Sequence, residues 1–337
     1  MCLKFRKIVF TKPGVVEMQT GDIDEKSLED KDVLIKKYYS LISAGTEIAC
    51  LAGTELWFPL PATPGYSGVG EIMATGSKVE NFRIGDMVYY RGKHCEYESV
   101  SSDSLLLKLS KDAPLKYIPI VTMAAISSSA IWASNIEYGD DVAVVGQGLI
   151  GLTALLQARM QGARVIAIDP SEKRLEIARK CGADFVLNPV KANVTEEINA
   201  ITCGRKVTTM IDATGNAKAI LDNLNNIAWG GELILLGSPR KPYEANVTEL
   251  LQHIHQFRFN VDVKGAHEFR YPEKECKYVK HSAERTSRIL IDYITGGKLD
   301  VSMLVTQVEA PENAAGVYKQ IANGNEDYLG VIFDWTN

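Results

Sequence analysis

The stretch DDVAVVGQGLIGLTALLQARMQGARVIAIDPSEKRLEIARKCGAD, residues 140–184, decides the fold. Val142–Val145 is a short β-branched apolar run of the kind buried on both faces of a parallel sheet. Gly146, Gly148 and Gly151 follow at G-x-G-x-x-G spacing and lead, through Leu149 and Ile150, into a helical pattern over Gly151–Gln161. A second apolar run, Val165–Ile168, ends on Asp169, about 20 residues past the glycines. Three glycines at this spacing are a weak signal alone; a strand before them, a helix after, a second strand and a terminal acid make it strong. Gly146 permits a tight turn, Gly148 lets a pyrophosphate approach the backbone, and Gly151 lets helix and strand pack closely. The helix start, with the N–H groups of Leu149 and Ile150, offers that pyrophosphate a positive dipole end. Asp169 is suited to accept hydrogen bonds from both hydroxyls of an adenosine ribose and to repel a 2′-phosphate. The expected cofactor is therefore NAD rather than NADP.

The pattern continues outward from this stretch. Strands are expected at Phe185–Leu187, Thr209–Ile211, Glu232–Leu236 and Val261–Val263, with helices at Glu172–Lys180, Val194–Thr202, Lys218–Ile227 and Asn246–Gln256. Strand and helix in alternation mean βαβ units and a six-strand doubly wound parallel sheet. Upstream, residues 1–110 read as mostly β. Lys7–Phe10 and Val15–Met18 flank a Pro-Gly turn, and Asp32–Ser40 alternates before a glycine-containing loop. Tyr66–Ala74, Asp86–Tyr90, Tyr97–Val100 and Ser104–Lys108 are further short strands, and Pro114–Asn135 is helical. The tail offers a helix at Ala283–Thr295, a strand near Leu304–Gln307, a helix at Pro311–Ile321 and a strand at Leu329–Phe333. This is an α/β chain: a β-rich domain (1–127 and 267–337) split by an inserted Rossmann domain at 128–266.

Composition narrows the function classes. The chain of 337 residues is 46% hydrophobic and 23% charged, with a net charge of -5, which gives no support for nucleic-acid binding. No apolar run reaches the ~18 residues of a membrane span, so no membrane partner is expected. The N-terminal MCLKFRKIVF alternates like a strand and does not read as a signal peptide. Six scattered cysteines with no C-x-x-C pair suggest a reduced, cytoplasmic setting.

Several motifs carry a resemblance to a known family: SAGTE at 43–47, LPATPGYSGVGEI at 60–72, VENFRIGDMV at 79–88, GQGLIG with Asp169, VKGAHEF at 263–269 and YLGVIFDW at 328–335. Along its full length the chain resembles the medium-chain dehydrogenase/reductase family. The resemblance implies a GroES-like β-rich catalytic domain split by a Rossmann domain, a cleft between them that receives the nicotinamide, a small-molecule substrate, and a homodimer or homotetramer. The zinc-dependent members carry a cysteine where this chain has Ala44, a histidine–glutamate pair where it has Tyr66–Ser67, and a third ligand near Ala125 or Ile126. Catalytic zinc needs three nitrogen, sulfur or carboxylate ligands, so no metal is expected. The four-cysteine structural-zinc loop is missing as well. SAGTE, PGYSGVG and GKHCEY are most similar to a zinc-less branch that includes the 2-desacetyl-2-hydroxyethyl bacteriochlorophyllide dehydrogenases.

Without a metal, protein donors must handle the hydroxyl proton during hydride transfer. The resemblance points to three. Thr46 falls where the family keeps a hydroxyl that bonds the substrate and starts a proton relay; the alternative is a loop threonine bonding its own backbone. His94 matches a pocket-lining position, and histidine suits proton transfer near neutral pH; its alternative is a surface histidine at a strand start. Tyr66 stands in place of a ligand histidine, either donating to an alkoxide or plugging the cavity. Glu47 and Glu96 fall near the same cleft, Glu47 either orienting His94 or bonding the backbone. On the cofactor side the resemblance implies Ser129 beside the nicotinamide, Arg174 over the adenine ribose, and Ala266 at its carboxamide, with His267 and Glu268 close by. Ala213, within Asp212–Thr214, and Gly237 end the fourth and fifth strands, where doubly wound sheets bind ligands. The basic run Lys264–Arg288 reads as a solvated face or, if it lines the cleft, as a sign of a phosphorylated or carboxylated substrate. His253 and His255 lack the spacing of two ligands on one helix face. The leading expectation is an NAD(H)-dependent, zinc-independent oxidoreductase of a secondary alcohol such as a sugar, polyol or cyclitol. The alternatives are an NAD(P)H-dependent enoyl- or quinone-type C=C reductase and a non-catalytic NAD(H)-binding protein.

Overall fold

The computed structural model describes residues 2–24 and 27–337. The first part of the chain forms β1 (Cys2–Lys12), β2 (Val15–Asp24), β3 (Asp32–Leu41), α1 (Ala44–Leu51), β4 (Gly68–Thr75), β5 (Met87–Tyr90), β6 (Tyr97–Ser101) and β7 (Leu106–Lys108). The middle forms α2 (Ile120–Ala133), β8 (Asp141–Val145), α3 (Leu149–Met160), β9 (Arg164–Ile168), α4 (Glu172–Lys180), β10 (Phe185–Leu187), α5 (Val194–Ile201), β11 (Val207–Asp212), α6 (Ala217–Asn223), β12 (Ile227–Leu235), α7 (Thr248–His255) and β13 (Asp262–Gly265). The tail adds α8 (Ala283–Thr295), β14 (Gln307–Glu309), α9 (Ala314–Ala322) and β15 (Val331–Asp334). The chain divides into two compact units, residues 1–122 with 273–337, and residues 123–272.

The middle unit is a six-stranded sheet in the order β10-β9-β8-β11-β12-β13, with every neighbouring pair parallel. That is the doubly wound Rossmann arrangement, and the strand order reverses between β8 and β11. All five residues of β8 are buried, as a central parallel strand covered on both faces requires. Ala143, Val145, Ile166, Ile168, Met210 and Leu233 meet in its core.

The split unit is β-rich. β1 and β2 form a hairpin, and a seven-stranded sheet runs β14-β15-β3-β4-β5-β7, with β6 paired on β3. β15 lies antiparallel to β3, with Ile332 opposite Leu41, so the tail completes a sheet that the first hundred residues begin. Ile8, Phe10, Leu51, Tyr318, Phe333 and Trp335 share one core. Burial of each such side chain contributes about 1.5–3 kcal/mol, so both ends of the chain hold this unit together.

Three sequence expectations need correction. The glycine-containing loop after β3 is the helix α1, entered from Ser43. The expected helix Lys218–Ile227 stops at Asn223; a 3-10 turn covers Leu224–Asn226, and Ile227 already belongs to β12. The expected strand Leu304–Gln307 is a 3-10 turn at Ser302–Leu304 followed by β14. In the last two cases the apolar run is real, but a short 3-10 turn takes up part of it and the strand begins at a different residue. Among the described residues no helix is long and apolar enough to cross a membrane.

Candidate functional site

In the middle unit a cavity of about 870 Å³ is lined by Gly146, Gly148, Asp169, Arg174, Ala213 and Thr214, among others. Gly146 has φ +91°, and a Cβ there would sit 2.7 Å from the Thr214 Cγ2. A Cβ on Gly151 would lie 1.8 Å from the Gly146 carbonyl oxygen, so only glycine lets α3 start this close to β8. Gly148 has open space where a Cβ would be, and as the N-cap of α3 it supplies no capping side chain. The first N–H groups of α3, in the turn of Leu149 and Ile150, therefore begin beneath an open surface that suits a pyrophosphate.

Asp169 follows β9 and is 3% exposed. Its Oδ2 accepts the Gln147 N–H at 2.7 Å and its Oδ1 the Ser171 N–H at 2.8 Å. Each oxygen keeps lone-pair capacity for a further donor. The Arg174 guanidinium lies 3.9 Å from Oδ2, and its Nε, on the same side chain that lines the cavity, has no hydrogen-bond partner. Asp212, at the end of β11, accepts from the Thr214 and Gly215 N–H groups and the Thr214 hydroxyl. Burial raises its carboxyl above the ordinary value, against the lowering effect of those donors. Gly237 lies close by: a Cβ there would meet the Gly215 nitrogen at 2.2 Å. Elsewhere in the unit the Ser129 hydroxyl donates to the Ala266 carbonyl, with the Ile126 carbonyl at 2.6 Å, so these two expected residues touch.

The three candidate proton-handling residues fall in the split unit. Thr46 sits in the first turn of α1 and is half-buried, not in a loop. Tyr66 is half-buried, and its hydroxyl donates to the Ser43 Oγ. His94 departs from the expected pocket-lining position. It is 0% exposed, with Nδ1 2.7 Å from the Ser40 Oγ and Nε2 3.0 Å from the Glu47 Oε2. Both ring nitrogens are engaged and the ring is fully buried, so His94 lines no open surface here.

Glu47 is the hub of this cluster and is 2% exposed. Its Oε1 accepts the Ser43 N–H at 2.7 Å, and its Oε2 accepts the Tyr318 hydroxyl at 2.5 Å as well as facing His94. The Trp335 indole N–H donates to Ser40 at 2.9 Å. One proton arrangement satisfies every member: indole to Ser40, Ser40 hydroxyl to His94 Nδ1, His94 Nε2–H to Glu47. Burial, followed by the adjacent Glu47 carboxylate, pushes the Tyr318 phenol well above its ordinary value, so it serves as a fixed donor.

Other expected positions have structural roles. Glu96 accepts from the Arg6 backbone and guanidinium. His267 is exposed and accepts the Phe269 N–H. The basic run is no single surface: Lys264 pairs with Glu232 and Arg270 donates to the Gly265 carbonyl, whereas Lys274 pairs with Glu284 and Arg288 with Glu275 and Glu284. His253 is buried, stacked on Phe259 and bonded to the Glu249 carbonyl, while His255 is exposed.

The comparisons agree with this architecture. The pattern described as "Alcohol dehydrogenase GroES-like domain" matches residues 29–110, and that described as "Zinc-binding dehydrogenase" matches residues 150–294. D-guloside 3-dehydrogenase of Escherichia coli (strain K12) is 26% identical over 97% of this chain and 100% of that protein. The chain belongs to the medium-chain dehydrogenase/reductase family. Like its relatives in that family it is an oxidoreductase of the dehydrogenase type; among them, L-threonine 3-dehydrogenase of Caldanaerobacter subterraneus subsp. tengcongensis is 28% identical over 56% of this chain and 62% of that protein. The fold is shared with galactitol-1-phosphate dehydrogenase from Escherichia coli, with a TM-score of 0.84 at 19% identity over 98% of this chain and 99% of that one.

Within this medium-chain dehydrogenase, Ser40, Ser43, Tyr318 and Trp335 are members of the polar cluster that sequence reasoning missed. Ser43 left one legible signal, a serine just ahead of a helix with a glutamate four residues on, close to the pattern of a capping box. Tyr318 and Trp335 left none, because their partners are hundreds of residues away in sequence.

Proposed function

We propose that the protein oxidises a secondary alcohol of a sugar, polyol or cyclitol with NAD, without zinc. The observation that carries the cofactor is the Asp169 carboxylate at the end of β9, lining the cavity over the glycine turn. Its spare lone pairs suit the two ribose hydroxyls, and its charge opposes a 2′-phosphate. NAD supplies the hydride acceptor. The middle unit's glycines bind the pyrophosphate, and Ser129 with Ala266 forms the nicotinamide side. Tyr66, with Thr46, holds and moves the hydroxyl proton, whereas His94 acts at one remove by fixing Glu47.

The donor chemistry does not fit a catalytic zinc, although the matching pattern is described as zinc-binding. Ala44, Ala125 and Ile126 have no ligand atoms. The Tyr66 hydroxyl is committed to Ser43 and the Ser67 hydroxyl to the Pro119 carbonyl at 2.7 Å. Among the described residues no group of three or more His, Cys, Asp or Glu side chains is gathered to hold a metal. Six free cysteines support a reducing, cytoplasmic location.

The test is NADH formation over methyl glycosides, galactitol, sugar phosphates and myo-inositol. Asp169→Ala should shift the ratio of kcat/KM for NAD over NADP toward NADP by about tenfold or more, the worth of a charged hydrogen bond. An unchanged ratio removes Asp169 from cofactor choice. Dialysis against a chelator should leave turnover intact, and near-stoichiometric zinc in active enzyme would overturn the metal-free reading.

A further inference from the structure

Serine at the start of a helix normally turns its hydroxyl onto the N–H of the second or third helical residue. Ser43 does not. It occupies the N-cap of α1, yet its side chain makes no capping bond. Its backbone carbonyl accepts the Glu47 N–H at 2.8 Å, and its backbone N–H is held by the Glu47 carboxylate. The hydroxyl is left to accept from the Tyr66 phenol. The Glu47 carboxylate that holds the Ser43 N–H is itself clamped by His94 and Tyr318. Ser43 is thus fixed through its backbone on both sides, with its Oγ aimed at the one candidate acid–base group that is partly exposed and ionisable.

We infer that Ser43 is a positioning residue for Tyr66, holding the phenol oxygen in place and supplying the hydrogen bond that supports it when it changes protonation state. This inference rests on the assignment of Tyr66 to the hydroxyl proton. In the oxidation direction the substrate O–H bond breaks and its proton passes to a Tyr66 phenolate as the C–H hydride leaves for NAD. The new phenol O–H then points back to the Ser43 Oγ, as in the structure. In reduction the phenol O–H breaks toward the substrate oxygen, and the Ser43 hydroxyl rotates to donate to the phenolate left behind. The hydride pair goes to or comes from the nicotinamide, and the proton that Tyr66 gains in oxidation, or gives up in reduction, is exchanged with water between turnovers, so protons and electrons balance in both directions. A hydroxyl serves each state because it both accepts and donates.

Ser43→Ala is a clean probe, since it removes no helix cap. Using the member of the glycoside, galactitol and myo-inositol panel oxidised fastest, Ser43→Ala should lower kcat by about ten- to a hundredfold. The Kd for NAD and the thermal unfolding midpoint should stay at wild-type values. The solvent deuterium isotope effect on kcat should rise as proton transfer becomes slower, and Ser43→Thr, which keeps the hydroxyl, should restore most of the rate. Wild-type kcat and isotope effect in Ser43→Ala, beside a slowed Tyr66→Phe, would overturn the role of Ser43 alone. Wild-type turnover in Tyr66→Phe, or no turnover on the whole panel by the wild type, would instead overturn the parent reading and this inference with it.

Discussion

Tyr66→Phe is expected to lower kcat for alcohol oxidation by about 10²- to 10⁴-fold, the range of a lost acid–base group, while leaving the Kd for NAD unchanged. The substitution removes one oxygen and keeps the ring, so the half-buried aromatic still fills its place. What is lost is the phenol hydroxyl, with its bond to the Ser43 Oγ, the group to which the proposed function assigns the proton. Thr46 remains as a hydroxyl, but an aliphatic hydroxyl is a far poorer acid or base than a phenol. Steady-state kinetics with NAD and the fastest panel substrate, paired with fluorescence titration of NADH, make the measurement. A variant that turns over at the wild-type rate would mean that the phenol plugs the space left by a ligand histidine and does no chemistry.

Glu47→Ala should be the most destabilising single change in the split unit, costing about 3–5 kcal/mol. The carboxylate receives the Ser43 N–H, the Tyr318 hydroxyl and the His94 Nε2 side in a site only 2% exposed. Truncation leaves all three without an acceptor and out of reach of water. The contrast with Tyr318→Phe sharpens the expectation. That change removes one donor from a carboxylate that keeps two others, and should cost about 1 kcal/mol. Urea unfolding midpoints of the two variants decide it: equal shifts would mean that the carboxylate is not the hub. Glu47→Ala should also slow turnover in whatever fraction stays folded, because Ser43 loses the backbone clamp that aims it at Tyr66.

Much of the middle unit was legible from sequence because its signals are local. Helix α4 at Glu172–Lys180 and strand β10 at Phe185–Leu187 fall where periodicity puts them, and Gly146, Gly148 and Gly151 mark a turn whose backbone approaches exclude side chains. The region around α1 was not legible. Gly45 and the small residues beside it argue for a loop, and the helix is held by Glu47 reaching back to Ser43. That reach depends on His94, 47 residues on, and Tyr318, 271 residues on. No window of local sequence contains such a clamp. The depth of His94 was equally hidden: GKHCEY gives a strand start and says nothing about what covers the ring, which is Phe333, edge-on with centroids 5.3 Å apart.

The return of β15 to pair with β3 has a consequence for synthesis. Residues 123–272 are continuous, so the nucleotide-binding unit has its whole sheet outside the ribosome while translation is still under way. The other unit cannot finish. Until residues 331–334 emerge, β3 has unpaired backbone at Tyr39–Leu41, beyond the stretch that β6 covers, and until Tyr318 and Trp335 emerge, Glu47 and Ser40 each lack one donor. An unpaired strand end beside a half-built core is the kind of surface that recruits chaperones or aggregates. A ribosome stalled before residue 318 should therefore carry a folded middle and an unprotected, protease-sensitive start.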